Sequence, residues 1–558
     1  MKQIVLLIPF LPILSALLTH LLASRAGRQV ARISITGITL TFVLAAIALW
    51  FSISDQTPQA VHIYGEAMLL HDPLSSLMSV VIAGISLIVH VYSVRYMAEE
   101  SGYARFFVLL DLMTATLLVM VAAGDLLTLL IAWHLVGVLL YFLLGHNTQD
   151  ISAYRYAFWT KITYRIGDLP LLIAAVLLYK AYDTWSLPVI FEQIINAPNA
   201  HQIMGLPLAE VIAALVALAA FARSAQFLMH TWLPYTMSGP TPVSALMHAG
   251  IVNAGGFLIN RFAPVFIHSS DVLHWVFIVG LFTAVTGSIL MLTQNDIKKS
   301  LGYSTMGQMG FMIMECGIGA FSLAIFHLIA HGLFKGTLFL GAGGVIHSAR
   351  KDDGVPKEDL YTFVVERRPA RQRLPWLLMA AITLAIPIVI LVAAHWLVSQ
   401  DYFQKQGAIV LLFFGWITGA QLIFATYRMQ TQNLRRMVTL SIVSFAVVIV
   451  GYAMISHAFD LFLYPDPVFR EQLYAAADID LFWFDLLMVM VSIVIISGWV
   501  LTYFTDQNGN RRGKISKNIW LTFYALISRE FYITDLYTRI GRSLLAFAER
   551  LNLWLRWA

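Results

Sequence analysis

The sequence predicts an all-α, polytopic membrane protein of about 15 transmembrane helices, and three observations predict it. Hydrophobic residues make up 59% of the 558-residue chain and charged residues only 12%, against about 25% charged in an ordinary soluble domain. Mean hydropathy is +0.75. The apolar residues come in runs of bilayer-spanning length and lack the period-two alternation of a transmembrane barrel.

A bilayer core asks roughly 20 apolar residues of a helix. On that ruler the candidate spans are 4–22, 33–51, 74–94, 106–122, 126–144, 157–178, the broken stretch 211–237, 243–266, 275–292, 301–314, 321–346, 374–398, 409–425, 437–455 and 481–504. The first carries one lysine and no small-residue cleavage site, so it reads as a retained span and not a signal peptide. Cys316 is the single cysteine, which excludes an intrachain disulfide and any metal site built on several thiolates.

Charge in the connections sets an orientation. Arg25, Arg28 and Arg32, then Arg95 and Arg105, Arg155 and Lys161, Lys298 and Lys299, the basic-ended loop 350–373, Arg428, Arg435 and Arg436, and finally Arg511, Arg512, Lys514 and Lys517 occupy every second connection. The alternate connections carry Asp55, Glu66 and Asp72, Asp183 and Glu192, and Asp460, Asp466, Asp478 and Asp480. Because lysine and arginine favour the cytoplasmic side, the expectation is a multi-pass protein of a bacterial cytoplasmic (inner) membrane with its N terminus outside and its C terminus in the cytoplasm. Beyond the last span, Leu536, Ile540, Leu544, Phe547, Leu551 and Leu555 recur at three- and four-residue spacing with charges on the other faces. That predicts an amphipathic helix along the cytoplasmic interface or against a neighbouring subunit.

Ionisable side chains inside spans are costly unless they face a bundle interior or a water-filled cavity. In FHLIAHGLFKG, His327, His331 and Lys335 follow one another at four-residue spacing, which stacks them on one helix face about 6 Å apart. Such a stripe can pass protons; it could also serve as hydrogen bonds between helices. In RSAQFLMHTWLPYTMSGPTPVSALMHAG, Pro234, Gly239, Pro240 and Pro242 forbid a continuous helix, and Arg223, His230 and His248 border the break. Irregular backbone at membrane depth is tolerated only where protein or a cavity surrounds it, and in transporters it marks ion sites. His134 is mid-span, and Arg165 with Asp168 form an i, i+3 pair on the next helix. Asp111 and Asp125 lie near span ends as solvated caps or as counterions; His90, His395 and His457 have no aligned partner and read as structural.

The segments HDPLSSLMSVVIAG, GYARFFVLLDL, YRIGD, TWLPYTMSGPTPVSALMHAG, QNDIKKSLGYSTMGQMGFM and AIFHLIAHGLFKGTLFL resemble, in that order, the proton-translocating antiporter-like family. That family includes subunit L of respiratory complex I, the large Mrp antiporter subunits and DabB-type membrane subunits of inorganic-carbon accumulation complexes. The resemblance implies two inverted five-helix repeats, each with a broken helix: an N-terminal segment 1–100, a first repeat 101–266, a divergent second repeat 267–430, a two-helix segment 431–515 and the amphipathic tail 516–558. It also implies proton-path roles for Arg165, Asp168, His248, His327, His331 and Lys335.

Three positions depart from the family pattern. Trp133 is followed by His134 where the family has glutamate, Arg223 replaces the broken-helix lysine, and LAIPIVILVAAHW at 384–396 lacks the second proline and lysine of the second break. Arginine keeps its charge where lysine can shed a proton. Arg223 is therefore expected to be a fixed cation that keeps His134 neutral and needs Asp168 or Asp111 as its anion. The resemblance is closest to the DabB type. It implies a non-catalytic proton- or sodium-conducting subunit that binds no cofactor itself and powers a large cytoplasmic zinc-containing, carbonic-anhydrase-like (DabA-like) partner. A divergent complex I or Mrp-type subunit and a non-conducting scaffold are the alternatives.

Overall fold

A computed structural model describes residues 2–341 apart from positions 56, 64, 65, 148, 150, 237, 238 and 295, then 389, 390, 392, 393, 434–478, 486, 489, and 521–556 apart from 523. The chain is an all-α polytopic membrane protein. The expected spans 374–398, 409–425 and 481–504, the 384–396 motif with His395, and most of the second repeat's later half lie outside the described residues.

The described helices are α1 (Lys2–Ala26), α2 (Val30–Ser54), α3 (Pro73–Tyr96), α4 (Tyr103–Val121), α5 (Leu126–Leu144), α6 (Ile151–Tyr182), α7 (Leu187–Asn196), α8 (Leu208–Arg223), α9 (Thr241–Leu246), α10 (Ala254–Arg261), α11 (Ala263–Phe266), α12 (Ser270–Leu292), α13 (Ile297–Gly317), α14 (Phe321–Gly341), α15 (Leu434–Leu463), α16 (Pro467–Ala477) and α17 (Ile533–Leu555). Among the described residues eight helical segments are long and apolar enough to cross a bilayer, and the first, Ile4–Ser54, folds back as α1 packed on α2. Aspartates start several of the helices. Asp72 and Ser75 form a reciprocal capping box ahead of α3, and Asp125 and Asp296 accept from the backbone N–H of Thr128 (2.7 Å) and Lys299 (2.9 Å) at the starts of α5 and α13.

The connections gather in two layers at opposite ends of the bundle. One layer holds the antiparallel hairpin β1 (Gln59–Ile63) and β2 (Glu66–His71), the 183–207 connection with α7, and α16, where Leu69 bridges Ala123, Asp125 bridges Ser186 and His274 meets the Asp478 carbonyl. These hairpins and short surface helices have no counterpart in the sequence expectations, because a hydropathy window sees only long apolar runs. The other layer is basic: Arg105 donates to the His146 carbonyl (2.7 Å), and Lys299 lies 4.5 Å from the Tyr235 ring centre.

The hub of the bundle is the run α9–α10, buried along nearly its whole length. It is not the uninterrupted span 243–266 of the sequence reading. A π-helical turn, Met247–Ile251, separates α9 from α10, and such turns gather at functional sites. Gly332 of α14 packs against this turn so closely that a Cβ there would lie 2.5 Å from the Ala249 carbonyl oxygen. The tail is helical, as α17, and its apolar residues Leu536, Ile540, Leu544, Phe547, Leu551 and Leu555 are exposed on this chain.

Candidate ion path

The first cluster is assembled from α5, α6 and α8. Arg223 is the last residue of α8, where the helix's carbonyl end favours a cation. Only 2% of its side chain is exposed. Its guanidinium lies 4.3 Å from the Trp133 ring centre and 4.1 Å from that of Tyr164. Nη2 donates to the Trp133 carbonyl (2.7 Å) and reaches Asp168 Oδ1 at 3.4 Å. The other Asp168 oxygen meets Arg165 Nη1 (2.9 Å) and His134 Nδ1 (3.1 Å), and Arg165 Nη1 is 2.7 Å from His134 Nε2.

Asp168 is therefore the anion that Arg223 requires. The expected direct action of Arg223 on His134 is corrected: the cation touching His134 is Arg165, and Arg223 reaches it through the shared carboxylate. Successive residues of a helix point about 100° apart. Trp133 thus faces the core while the adjacent His134 is 53% exposed on the bundle's flank.

The second cluster lies along an open pocket of about 400 Å³ between α13 and α14, where Ser304, Gln308, Glu315, His327, His331 and Lys335 share the lining with Phe311, Phe326 and Phe334. The stripe does share a face: the His327 and His331 ring centres are 6.3 Å apart, and Lys335 donates to Ser304 Oγ (2.8 Å). His327 Nδ1 meets Glu315 Oε2 (3.1 Å), and its Nε2 meets Gln308 Oε1 (2.9 Å). A carboxylate on one nitrogen and an amide able to turn its oxygen or its N–H to the other suit imidazole in both protonation states. Glu315, 1% exposed, was missed because it sits just past the apolar window 301–314; a lone acid closing an apolar run was the available signal.

His248 lies in the π turn, fully buried, stacked on Phe339 of α14 with ring centres 4.3 Å apart. Among the described residues, the ring nitrogens of His230, His248 and His331 have no hydrogen-bond partner. A buried polar group left so costs about 1–3 kcal/mol. His230 is fully buried and stacked on Phe227.

Asp111 and Asp125 are not counterions of either cluster. Asp111 is fully buried, accepts from Ser15 (3.0 Å) and Ser34 (2.9 Å) and meets His90 Nε2 (3.1 Å), which corrects the reading of a solvated end cap and gives His90 a partner. Asp125 is the α5 cap. Arg261 at the end of α10 pairs with Asp72 and also donates to the Val121 carbonyl (2.9 Å), tying the hub to the hairpin layer.

The family model described as "NADH:quinone oxidoreductase/Mrp antiporter, TM" matches residues 123–359, and the one for the N-terminus of complex I chain 5 matches residues 65–107. A Halothiobacillus neapolitanus chain described as "Probable inorganic carbon transporter subunit DabB1" is 60% identical over 553 residues, 99% of each chain. The NAD(P)H-quinone oxidoreductase chain 5 of a Picosynechococcus species is 38% identical over 365 residues, 64% of this chain and 54% of that one. Among solved structures, the Mrp complex from Dietzia sp. matches with TM-score 0.55 and 22% identity over 99% of this chain and 63% of that one. An archaeal membrane-bound sulfane sulfur reductase matches with TM-score 0.58 and 18% identity over 85% and 97%.

Proposed function

This chain belongs to the NADH:quinone oxidoreductase/Mrp antiporter family of ion-conducting membrane subunits, and we propose that it drives inorganic-carbon uptake by passing protons through its two buried clusters. The observation that supports the conducting part is the stripe of His327, His331 and Lys335 with buried Glu315 along an open pocket between α13 and α14, a run of titratable groups on membrane-spanning helices. The end-to-end 60% identity to a probable inorganic carbon transporter subunit supports the cargo. In this reading a large cytoplasmic zinc-containing, carbonic-anhydrase-like partner converts carbon dioxide to bicarbonate, and ion flow through this subunit makes the conversion one-way. The chain's own residues carry and steer charge; the chemistry belongs to the partner.

In the first cluster Arg223 and Arg165 are fixed cations on one carboxylate, so His134 and Asp168 are the groups whose proton content changes. In the second, a proton moves along His327, His331 and Lys335, with Glu315 compensating the charge on His327. His248 in the π turn stacks on Phe339, one helical turn beyond Lys335 on α14. The likeness to quinone oxidoreductase chain 5 supports a second reading, a divergent subunit of that machinery, over the 64% of this chain that it spans.

Replacing Lys335 by alanine removes the end of the stripe and its bond to Ser304. The expected result is loss of bicarbonate-independent growth in a carbonic-anhydrase-deficient host at unchanged membrane level of the protein. Normal growth rescue would remove the stripe from the mechanism and leave a non-conducting scaffold.

A further inference from the structure

Glu530 is a buried carboxylate that the two clusters do not use. It precedes α17 in a tight turn in which Glu530, Phe531 and Tyr532 all take left-handed backbone conformations, with φ of 56°, 55° and 58°. Three consecutive non-glycine residues so placed are unfavourable on their own, and surrounding contacts must hold them. The turn presses Glu530 into the broken segment between α8 and α9, at 4% exposure. Oε1 accepts from the Tyr235 hydroxyl (2.9 Å), and Oε2 accepts from Thr534 (2.6 Å). Phe531 meets Phe227 with ring centres 6.3 Å apart, and Tyr537 donates to the Leu228 carbonyl. Leu228 is itself left-handed, at φ 71°.

Simple docking does not require a carboxylate. Among the described residues no cation lies within ion-pair distance of Glu530, and its polar contacts are hydroxyls. The titratable group in contact with it is Tyr235, under Lys299; His230 from the break and Tyr303 from α13 lie in its neighbourhood without a hydrogen bond to it. His230 is the partnerless imidazole stacked on the same Phe227 that Phe531 touches. A carboxylate, a tyrosine hydroxyl and an unsatisfied imidazole in irregular backbone form the parts of a proton relay, at the basic end of the bundle.

We propose that Glu530, delivered by the C-terminal segment, is the proton-exchange group at the basic-side mouth of the first-repeat path and trades its proton with His230. In the forward step, across a bridging water because no hydrogen bond joins the two groups, the carboxylic O–H of Glu530 breaks and an imidazole N–H of His230 forms, leaving a carboxylate and an imidazolium; the carboxylate is reprotonated from water on the basic side. The proposal rests on the reading that the first cluster conducts.

The test uses the full chain with its co-purified partner in liposomes under an imposed pH gradient, comparing wild type, Glu530→Gln, Glu530→Asp and Tyr537→Phe. Docking is read separately as disulfide yield between cysteines placed at Phe227 and Phe531 in a Cys316→Ser background. Glu530→Gln is expected to keep the cross-link and lose at least about tenfold in proton flux, which corresponds to one decade in rate. Glu530→Asp should recover part of the flux, and Tyr537→Phe should conduct normally. Wild-type flux in a cross-linked Glu530→Gln protein would overturn the proposal, and so would equal losses in Glu530→Gln and Tyr537→Phe, which would mark the segment as a docking element alone. Absence of flux in the wild type itself would instead sink the conducting reading.

Discussion

Arg223→Lys tests the first cluster most directly. The guanidinium lies within 4.3 Å of the Trp133 and Tyr164 ring centres and bridges the Trp133 carbonyl and Asp168. An ammonium keeps a charge, but the lysine side chain is one atom shorter, so its nitrogen falls short of the position from which Nη2 alone meets both acceptors. The lost charge-assisted hydrogen bond is worth about 1.5–3 kcal/mol, and the weakened ring stacking about 0.5–2 kcal/mol. Lysine can also deprotonate when buried, forfeiting an attraction to Asp168 of about 5 kcal/mol at 3.4 Å and an effective dielectric of 20. If only about 2 kcal/mol of this bears on the slowest transfer, flux falls roughly 30-fold. His134→Glu adds a carboxylate against Arg165 and balances the cluster's two fixed cations. Because residues 134 and 223 meet through Asp168, the double variant should recover function, with a coupling of about 0.5–3 kcal/mol. The assay is proton flux against pH for wild type, both single variants and the double. Logarithmic losses that add to within about 0.5 kcal/mol, or four overlapping pH profiles, would refute the idea that these residues act as one unit.

Glu315→Gln keeps an oxygen toward His327 but removes its charge, and should cost about 1.5 kcal/mol, roughly tenfold in flux, at unchanged thermal stability; wild-type flux would leave Glu315 a structural acceptor. Burial alone would raise the Asp72 carboxyl, but the Arg261 guanidinium and the Ser75 contacts hold it below the ordinary carboxylate range. The stability from this pair is thus fully present above the unfolded carboxyl value and is lost as pH falls through the lowered folded value. Asp72→Asn should lower the melting temperature in detergent at pH 7 and match wild type at strongly acidic pH, and a pH-independent gap would contradict the linkage. Flux should persist when sodium is replaced by choline in the liposome assay; strict sodium dependence would exclude the proton reading.

Much of this site is readable from the sequence where the chemistry repeats along one helix. His327, His331 and Lys335 declare their common face by four-residue spacing, and Pro234 and Pro240 declare the break. What the sequence hides is azimuth and long-range pairing. His134 and Trp133 are adjacent, yet one faces the flank and the other the core. Asp111 and Glu315 give one signature, an acid near the edge of an apolar run, and both prove to be buried partners of histidines. The hydroxyls that hold Asp111 come from helices 77 and 96 residues earlier, and the contact of Glu530 with Tyr235 spans 295 residues. No local pattern encodes such pairs, because they are fixed only when the helices pack.

The charge arithmetic of the packed clusters also bears on which ion passes. Around Asp168 two guanidinium groups face a single carboxylate. Around Glu315, among the described residues, a lysine and two imidazoles face a single carboxylate. A desolvated metal cation entering either place would meet more fixed or potential positive charge than negative, and at low dielectric that repulsion is severe. A proton avoids the problem because it travels as a change in the state of residues already there: His327 can charge against Glu315 while a neighbour discharges, and no additional ion has to be accommodated. Replacing the family's glutamate by His134 and its lysine by Arg223 moves the first cluster further in that direction, since it removes an anion and fixes a cation. The cluster thereby becomes less able to hold a free cation while it keeps, in the His134–Asp168 contact, the pair to which the proposal assigns proton exchange.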